Sequence, residues 1–438
     1  MGRTTHDIVF EMLTSGDDGR VCKDIPEAAC AEEARSFTTH VLALSTSKVA
    51  DGLIDPKLVL SWLLATLGAP TLFIGLLVPV REAGSLLPQL FTAGALRQMP
   101  VRKWAWAAGS LVQGLSALAI AVAALTLKGA AAGMAVIAAL AVLAIARSVC
   151  SVTYKDVLGK TVSKSRRGSA TGAATTVGAA AVLAYGALLA SGTIARMDLV
   201  TGGLIGAGIF WIVGAAIFLQ LREVHGATEG GGNPISAAFG NLGLLASDAQ
   251  LRRFIAVRAL LVSTALAPPF MVAMAAHESG PDGSDGFGGL GLLVIASAGA
   301  GLLSSYVWGR LADKSSRKVL ILTSAAATLA LCATLGLDAA GLLGSTWALP
   351  LVLFALMIAY QGVRLGRSTH LVDMATLDTR AAYTALSNTV IGGILVFGGA
   401  FSLVAEYAGE AVVIGLLAAM SALALPVALG LEEVQAVT

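Results

Sequence analysis

Charge is what this sequence has least of. Only 13% of its 438 residues are Asp, Glu, Lys or Arg, while 56% are hydrophobic. The mean hydropathy is +0.80. No soluble domain of this size is so apolar, so the chain is expected to cross a membrane many times. Histidine is scarce too: five residues form no His-rich set, and no metal site is expected. The four cysteines, Cys22, Cys30, Cys150 and Cys332, include no Cys-x-x-Cys pair. Cys22 and Cys30 fall in a tail expected to face the cytoplasm, where thiols stay reduced, so no structural disulfide is expected between them. There is no Walker loop, which argues against direct drive by ATP. No Gly-x-Ser-x-Gly occurs either, and nothing points to an enzyme or to a cofactor. The small soluble fraction excludes nucleic acid as a partner. The N-terminus is polar with mixed charge, so no cleaved signal peptide is expected.

What is present is a series of long apolar runs that do not alternate. Backbone polar groups cannot stay unpaired in lipid, so these runs are helices. Glycine is abundant, at 50 residues, which suits close helix packing in a bilayer. The expected fold is an all-α polytopic membrane protein. Its spans are placed near 104–127, 130–153, 169–193 and 199–221, then 252–275, 287–311, 318–337, 347–365, 383–405 and 411–430. Upstream of these, hydropathy alone favours one span at about 58–80. The internal repeat described next instead makes span 1 Thr38–Asp55, extended through Leu58–Leu67, and span 2 Pro70–Leu96. That choice gives twelve spans, six plus six, and moves several charges into the membrane. It divides the chain into a cytoplasmic tail (1–36), an N-terminal half (37–221), a linker (222–250), a C-terminal half (251–431) and a short second tail (432–438). The linker contains Gly-Ala-Thr-Glu-Gly-Gly-Gly-Asn-Pro and reads as flexible chain. Ile235–Ala246 is expected as a surface amphipathic helix, with Ser247 capping span 7.

The repeat is carried by short landmarks. Gly309-Arg-Leu-Ala-Asp-Lys-Ser-Ser-Arg-Lys318 echoes Gly94-Ala-Leu-Arg-Gln-Met-Pro-Val-Arg-Lys103. Gly75-Leu-Leu-Val78 returns as Gly291-Leu-Leu-Val294, Arg147 as Arg364, and Ser45-Thr46 as Ser263-Thr264. A nearly constant offset, about 215 residues, is what a duplicated half leaves behind. The Gly-x-Leu-x-Asp-x-x-x-Arg-Lys signature resembles the cytoplasmic loop motif of the major facilitator superfamily, where it joins spans 2 and 3 and again spans 8 and 9. Leu87-Pro-Gln89 and Tyr383-Thr-Ala-Leu-Ser-Asn-Thr389 resemble a bacterial branch whose members are mostly of unassigned substrate. The resemblance covers about residues 37–430. It implies two six-helix halves rocking about a central cavity. It also implies a conformational latch at Gly309, Asp313, Arg317 and Lys318, with Gly94 and Arg102 as the weaker first copy. There Gln98 and Met99 replace the acid and a base, which weakens a charged latch.

Basic residues set the orientation. Loops on one side hold Arg97, Arg102, Lys103, Lys155, Lys160, Lys164, Arg166, Arg167, Arg222, Arg252, Arg253, Arg310, Lys314, Arg317, Lys318, Arg364, Arg367 and Arg380; the other side holds Lys57, Lys128 and Arg196. Both termini are therefore expected in the cytoplasm, in a protein of the cytoplasmic membrane.

Candidate functional residues are the charges that the repeat places in lipid. Lys48, Asp51 and Asp55 share one face of span 1. Arg81 and Glu82 lie about 20 Å from the cytoplasmic end of span 2. An uncompensated charge at that depth costs on the order of 3 kcal/mol, so such residues pair with each other or line a wet cavity. Arg81 is the candidate contact for an anion or carboxylate, and Glu82 or Asp51 the candidate proton carrier. Gln89, Gln113, Thr175, Thr176, Tyr360, Gln361, Ser387 and Asn388 either hydrogen-bond a solute or stitch helices together. Arg147 and Arg364 are expected as interface or gating charges, and Arg258 as a snorkelling one. Together these features suggest a monomeric secondary transporter of a small solute, coupled to protons. An uncoupled facilitator, or a sensor or assembly factor that kept the fold and lost transport, are the alternatives.

Overall fold

The computed structural model describes residues 10, 25, 27–89, 92, 96, 98–225, 243–278, 289–376 and 379–435. Among them every regular element is a helix. A short α1 (Glu27–Cys30) precedes α2 (Glu33–Leu53), α3 (Val59–Thr66) and α4 (Thr71–Leu86). Then follow α5 (Lys103–Thr126), α6 (Gly129–Thr161), α7 (Lys164–Ser191) and α8 (Arg196–Leu219). The later part holds α9 (Gly243–Ser247), α10 (Ala249–Leu260), α11 (Ser263–Glu278), α12 (Leu290–Ala339), α13 (Ala348–Met374), α14 (Arg380–Gly398), α15 (Ala400–Ala408) and α16 (Glu410–Leu429).

Among the described residues, nine helical stretches are long and apolar enough to cross a membrane. The longest, Leu290–Ala339, is two crossings fused at Ser315, whose extended backbone (φ −165°, ψ 98°) interrupts the helix. The first two crossings escape a hydropathy criterion for a physical reason. The α2 helix carries Lys48 and Asp51 among many hydroxyl residues, and α4 is a continuous helix for only 16 residues. The first crossing is a broken helix, α2 plus α3, separated at 54–58. Its repeat counterpart is broken the same way, α10 plus α11. With these two, the crossings come to twelve.

Several boundaries differ from expectation. The α6 and α13 helices run well past their expected ends, to Thr161 and Met374, so Arg364 and Arg367 belong to a helix and not to a loop. Asp248, not Ser247, caps α10: its side chain accepts from the backbone N–H groups of Gln250 and Leu251. The expected surface helix at 235–246 falls mostly outside the described residues, as does Gly94. Cys30 is disulfide-bonded, against expectation, with its partner outside the described residues.

The first six crossings meet the last six along two fronts, α4 against α11, α14 and α15 (with α3 also on α11), and α7 against α12. Small residues make the second contact. A Cβ built at Gly291 would fall on the backbone nitrogen of Ala190, and one at Gly186 would meet Ile295 and Val294. The N-terminus of α4 is tied to the second half by polar contacts. Thr71 Oγ1 donates to Glu410 Oε1 at 3.0 Å, and the Leu72 N–H donates to Glu406 Oε2 at 3.2 Å. First-turn N–H groups lack helical partners, and a carboxylate satisfies them favourably. The Thr71–Glu410, Leu72–Glu406 and Gly291–Ala190 contacts lie at the end of the bundle remote from the termini.

Gly291→Leu is expected to lower stability by about 1–3 kcal/mol through overpacking of this crossing. Gly336→Leu, where nothing lies within 4 Å, should leave it unchanged. Thermal unfolding of both variants in detergent checks this.

Candidate functional site

Between the halves, at mid-bundle, lie two adjoining cavities of about 500 and 400 Å³. They share Lys48, Asp51, Asp55 and Arg364 in their walls. The larger runs along α2, α7, α12 and α13, where Thr175, Thr176, Ser297, Ser305 and Gln361 supply its polar groups. The smaller holds most of the charge. It brings together Lys48, Asp51, Asp55, Arg81, Glu82, Gln89, Tyr360, Arg147 and Arg364, all singled out above, and adds Lys57 and Arg367.

The centre of this charge is a carboxylate between two arginines. Asp51 Oδ1 accepts from Arg81 Nη2 at 3.0 Å, and Asp51 Oδ2 pairs with Arg147 Nη2 at 2.5 Å. The geometry follows from the break and the repeat: α2 presents Asp51 inward, α4 brings Arg81, and α6 brings Arg147. Ser47, one turn before Asp51, buttresses the second arginine. Its Oγ accepts from Arg147 Nη1 at 3.2 Å and from the indole N–H of buried Trp211 at 3.3 Å. Charge-assisted bonds of this kind hold the cations in fixed positions.

The break in the first crossing builds a second feature. Asp55 Oδ1 accepts from the backbone N–H groups of Lys57 and Leu58, at 2.8 and 3.1 Å, and so fixes the turn that leads into α3. This turn throws Lys57 inward, with its ammonium 3.7 Å from the centre of the Tyr360 ring. A cation over an aromatic face is favourable when partly desolvated. Sequence reasoning assigned Lys57 to an outer loop. Its only signal was Asp55-Pro56, which interrupts the helix just before the lysine.

Other candidates also make contacts within the bundle. Arg258 is 7% exposed and turned inward. It donates to Ser387 Oγ at 2.6 Å and to Asn388 Oδ1 at 2.9 Å, which corrects the snorkelling expectation. Its wall of a smaller space also includes Glu82, Tyr360, Arg364 and Arg367. Gln113 bonds to Gly109 and Cys150 and so joins α5 to α6. Gln89 donates back to the Ser85 carbonyl at 2.7 Å. Thr175 and Thr176 do the same within α7.

The two loop motifs differ. In the first, Arg102 pairs with Asp156 at 2.5 Å. The acid that Gln98 lacks comes from elsewhere. Glu223, with its side chain fully buried, accepts from the backbone N–H groups of Arg102 and Lys103 and from Lys160 Nζ. It thereby caps α5. In the second, Asp313 is exposed and bonds to no described residue, so the expected latch is not made here. Arg317 instead donates to the Leu429 carbonyl, and Ser315 and Ser316 bond Glu433 and Gln435 of the C-terminal tail.

No protein-family model matches the sequence, and no curated protein matches it. Solved structures do. A mutant form of the nucleoside transporter NupG superposes with a TM-score of 0.70 at 12% identity, covering 90% of this chain and 99% of its own. A POT family transporter in complex with a thioalcohol-conjugated peptide gives 0.71 at 10%, covering 94% and 99%. A D-xylose–proton symporter gives 0.64 at 11%, covering 91% and 98%.

Asp51→Asn is expected to destabilise the protein by about 3 kcal/mol, because Arg81 and Arg147 then keep buried charge without a counter-ion. Adding Arg81→Gln to that variant should recover part of the loss. A double-mutant cycle on thermal unfolding measures the coupling. At the identities observed the likeness establishes the fold alone, and that fold is the one of the major facilitator superfamily.

Proposed function

We propose that this chain is a secondary transporter that moves a small solute across the cytoplasmic membrane by alternating access, with protons as the coupling ion. The observation that carries this reading is the charged cavity at mid-bundle. Both sets of six crossings contribute its walls: α2, α4 and α6 from the first, α13 from the second. Charges are kept in a membrane interior only for pairing or for a pathway, and here several have no pairing role. Residues from both halves around one central site are what rocking of the halves requires. The solved structures that share the fold are a nucleoside transporter, a peptide-bound transporter and a proton symporter, which supports the same reading.

Glu82 is the proposed proton carrier. It lines two cavities, and its carboxylate forms no hydrogen bond or ion pair with a described residue. Asp51 is less suited, because Arg81 and Arg147 already engage both of its oxygens. Protonation of Glu82 would change the cavity charge by one and so bias which side it opens to. The strong basic excess in loops on one side supports cytoplasmic termini. The sealed end, with Thr71–Glu410 and Gly291–Ala190, is then the outer one, so this conformation faces inward.

The test is solute flux in proteoliposomes under an imposed pH gradient, with a defined mixture of sugars, nucleosides, amino acids and organic acids read by mass spectrometry. The wild type should accumulate a solute. Glu82→Gln should lose gradient-driven accumulation yet retain exchange of the same solute. Accumulation that survives in Glu82→Gln contradicts the carrier assignment. No flux of any solute contradicts transport.

A further inference from the structure

We infer that the cavity takes a small organic dianion, a dicarboxylate or a phosphomonoester. This rests on the transport reading above and names its substrate class. The smaller cavity has six cations in its wall, Lys48, Lys57, Arg81, Arg147, Arg364 and Arg367, against three carboxylates, Asp51, Asp55 and Glu82. The formal surplus is three positive charges. Such a surplus is costly in a low-dielectric interior unless something else neutralises it.

The surplus is also localised. Asp51 is fully used by Arg81 and Arg147. Asp55 is used by the backbone N–H groups of the turn before α3. Lys48, Arg364 and Arg367 form no hydrogen bond or ion pair with a described residue. Arg364 and Arg367 are three apart on α13 and so share a helix face. Arg364 is exposed, and both cavities border it. Two guanidinium groups on one face can bind a carboxylate or phosphate through paired N–H donors. Lys48 stands on α2, in the opposite half, and lines both cavities. A dianion therefore has one acidic group for the α13 arginines and a second for Lys48. It would bridge the two halves that must move together. A monoanion would leave two of the three charges uncompensated, and a neutral solute all three. The combined space admits a molecule of several carbons with its first waters.

The experiment measures thermal unfolding of the purified full chain at constant ionic strength, titrated with succinate, glycerol phosphate, inorganic phosphate, acetate, glucose and adenosine. A ligand that binds the folded state raises the midpoint in a saturable way. Succinate or glycerol phosphate should do so, and acetate, glucose and adenosine should not. Which of the two acts separates the carboxylate from the phosphate source; inorganic phosphate alone acting equally well would remove the organic part of the proposal. Loss of one charge-assisted contact should weaken the apparent affinity about 10-fold or more in Arg364→Gln and in Arg367→Gln. Lys128→Gln, at the other end of the bundle, should match the wild type. Arg364→Lys keeps the charge and serves if the Gln variant does not fold. Stabilisation by glucose or adenosine, undiminished in Arg364→Gln, overturns the dianion while leaving transport intact. Stabilisation by no solute, together with no flux in proteoliposomes, overturns the transport reading itself.

Discussion

A carboxylate held between two arginines in a low-dielectric interior is the constraint on which the rest of this structure depends. Asp51 alone on α2 would be untenable at that depth, and so would Arg81 on α4 or Arg147 on α6. Together they leave one net positive charge and a rigid junction of three helices from the first half. Ser47 and Trp211 extend the junction to a fourth helix, α8. Helices in lipid gain little from hydrophobic exclusion, so polar contacts of this kind and close small-residue crossings must set their arrangement. Both devices are used here. Charge organises the middle of the bundle, and glycine at Gly186 and Gly291 closes its remote end.

Breaks in helices are the second organising device, and they serve the same centre. The first crossing stops at Leu53 and resumes at Val59, and Asp55 holds the turn between them. Irregular backbone at membrane depth is tolerated where it lines a cavity, and this break does so by delivering Lys57 to Tyr360. The termini-side surface is organised differently in the two halves. Glu223 supplies the first loop motif with an acid from after the sixth crossing. The second motif is occupied by the C-terminal tail through Glu433 and Gln435. A duplicated sequence thus carries two unlike termini-side arrangements.

Much of the fold was legible before any coordinates. Long non-alternating apolar runs leave little choice but helices, and the offset between landmark pairs located the two charged crossings that hydropathy misses. The placement of Arg81, Glu82, Lys48 and Asp51 on one cavity followed from that offset. What was not legible depends on local geometry. Lys57 reads as a loop cation because a helix break and a membrane surface look alike in sequence. Arg364 and Arg367 were given to a loop because α13 runs well past its apolar stretch. Arg258 was judged by its depth, although Ser387 and Asn388, in sequence far from it, decide where it points. The capping role of Glu223 has no local signal at all, since its partners lie over a hundred residues away in the chain.

Transport requires the cavity to be a wet pathway between the halves and not a dry cluster of mutually neutralised charges. The most direct measurement is modification of Ser305→Cys, in the wall of the larger cavity. The background would carry Cys150 and Cys332 replaced by serine, and the reagent would be a membrane-impermeant maleimide applied to oriented vesicles. The structure predicts modification when the reagent is on the side of the termini and none when it is on the other side. Absence of modification from the side of the termini would contradict the pathway.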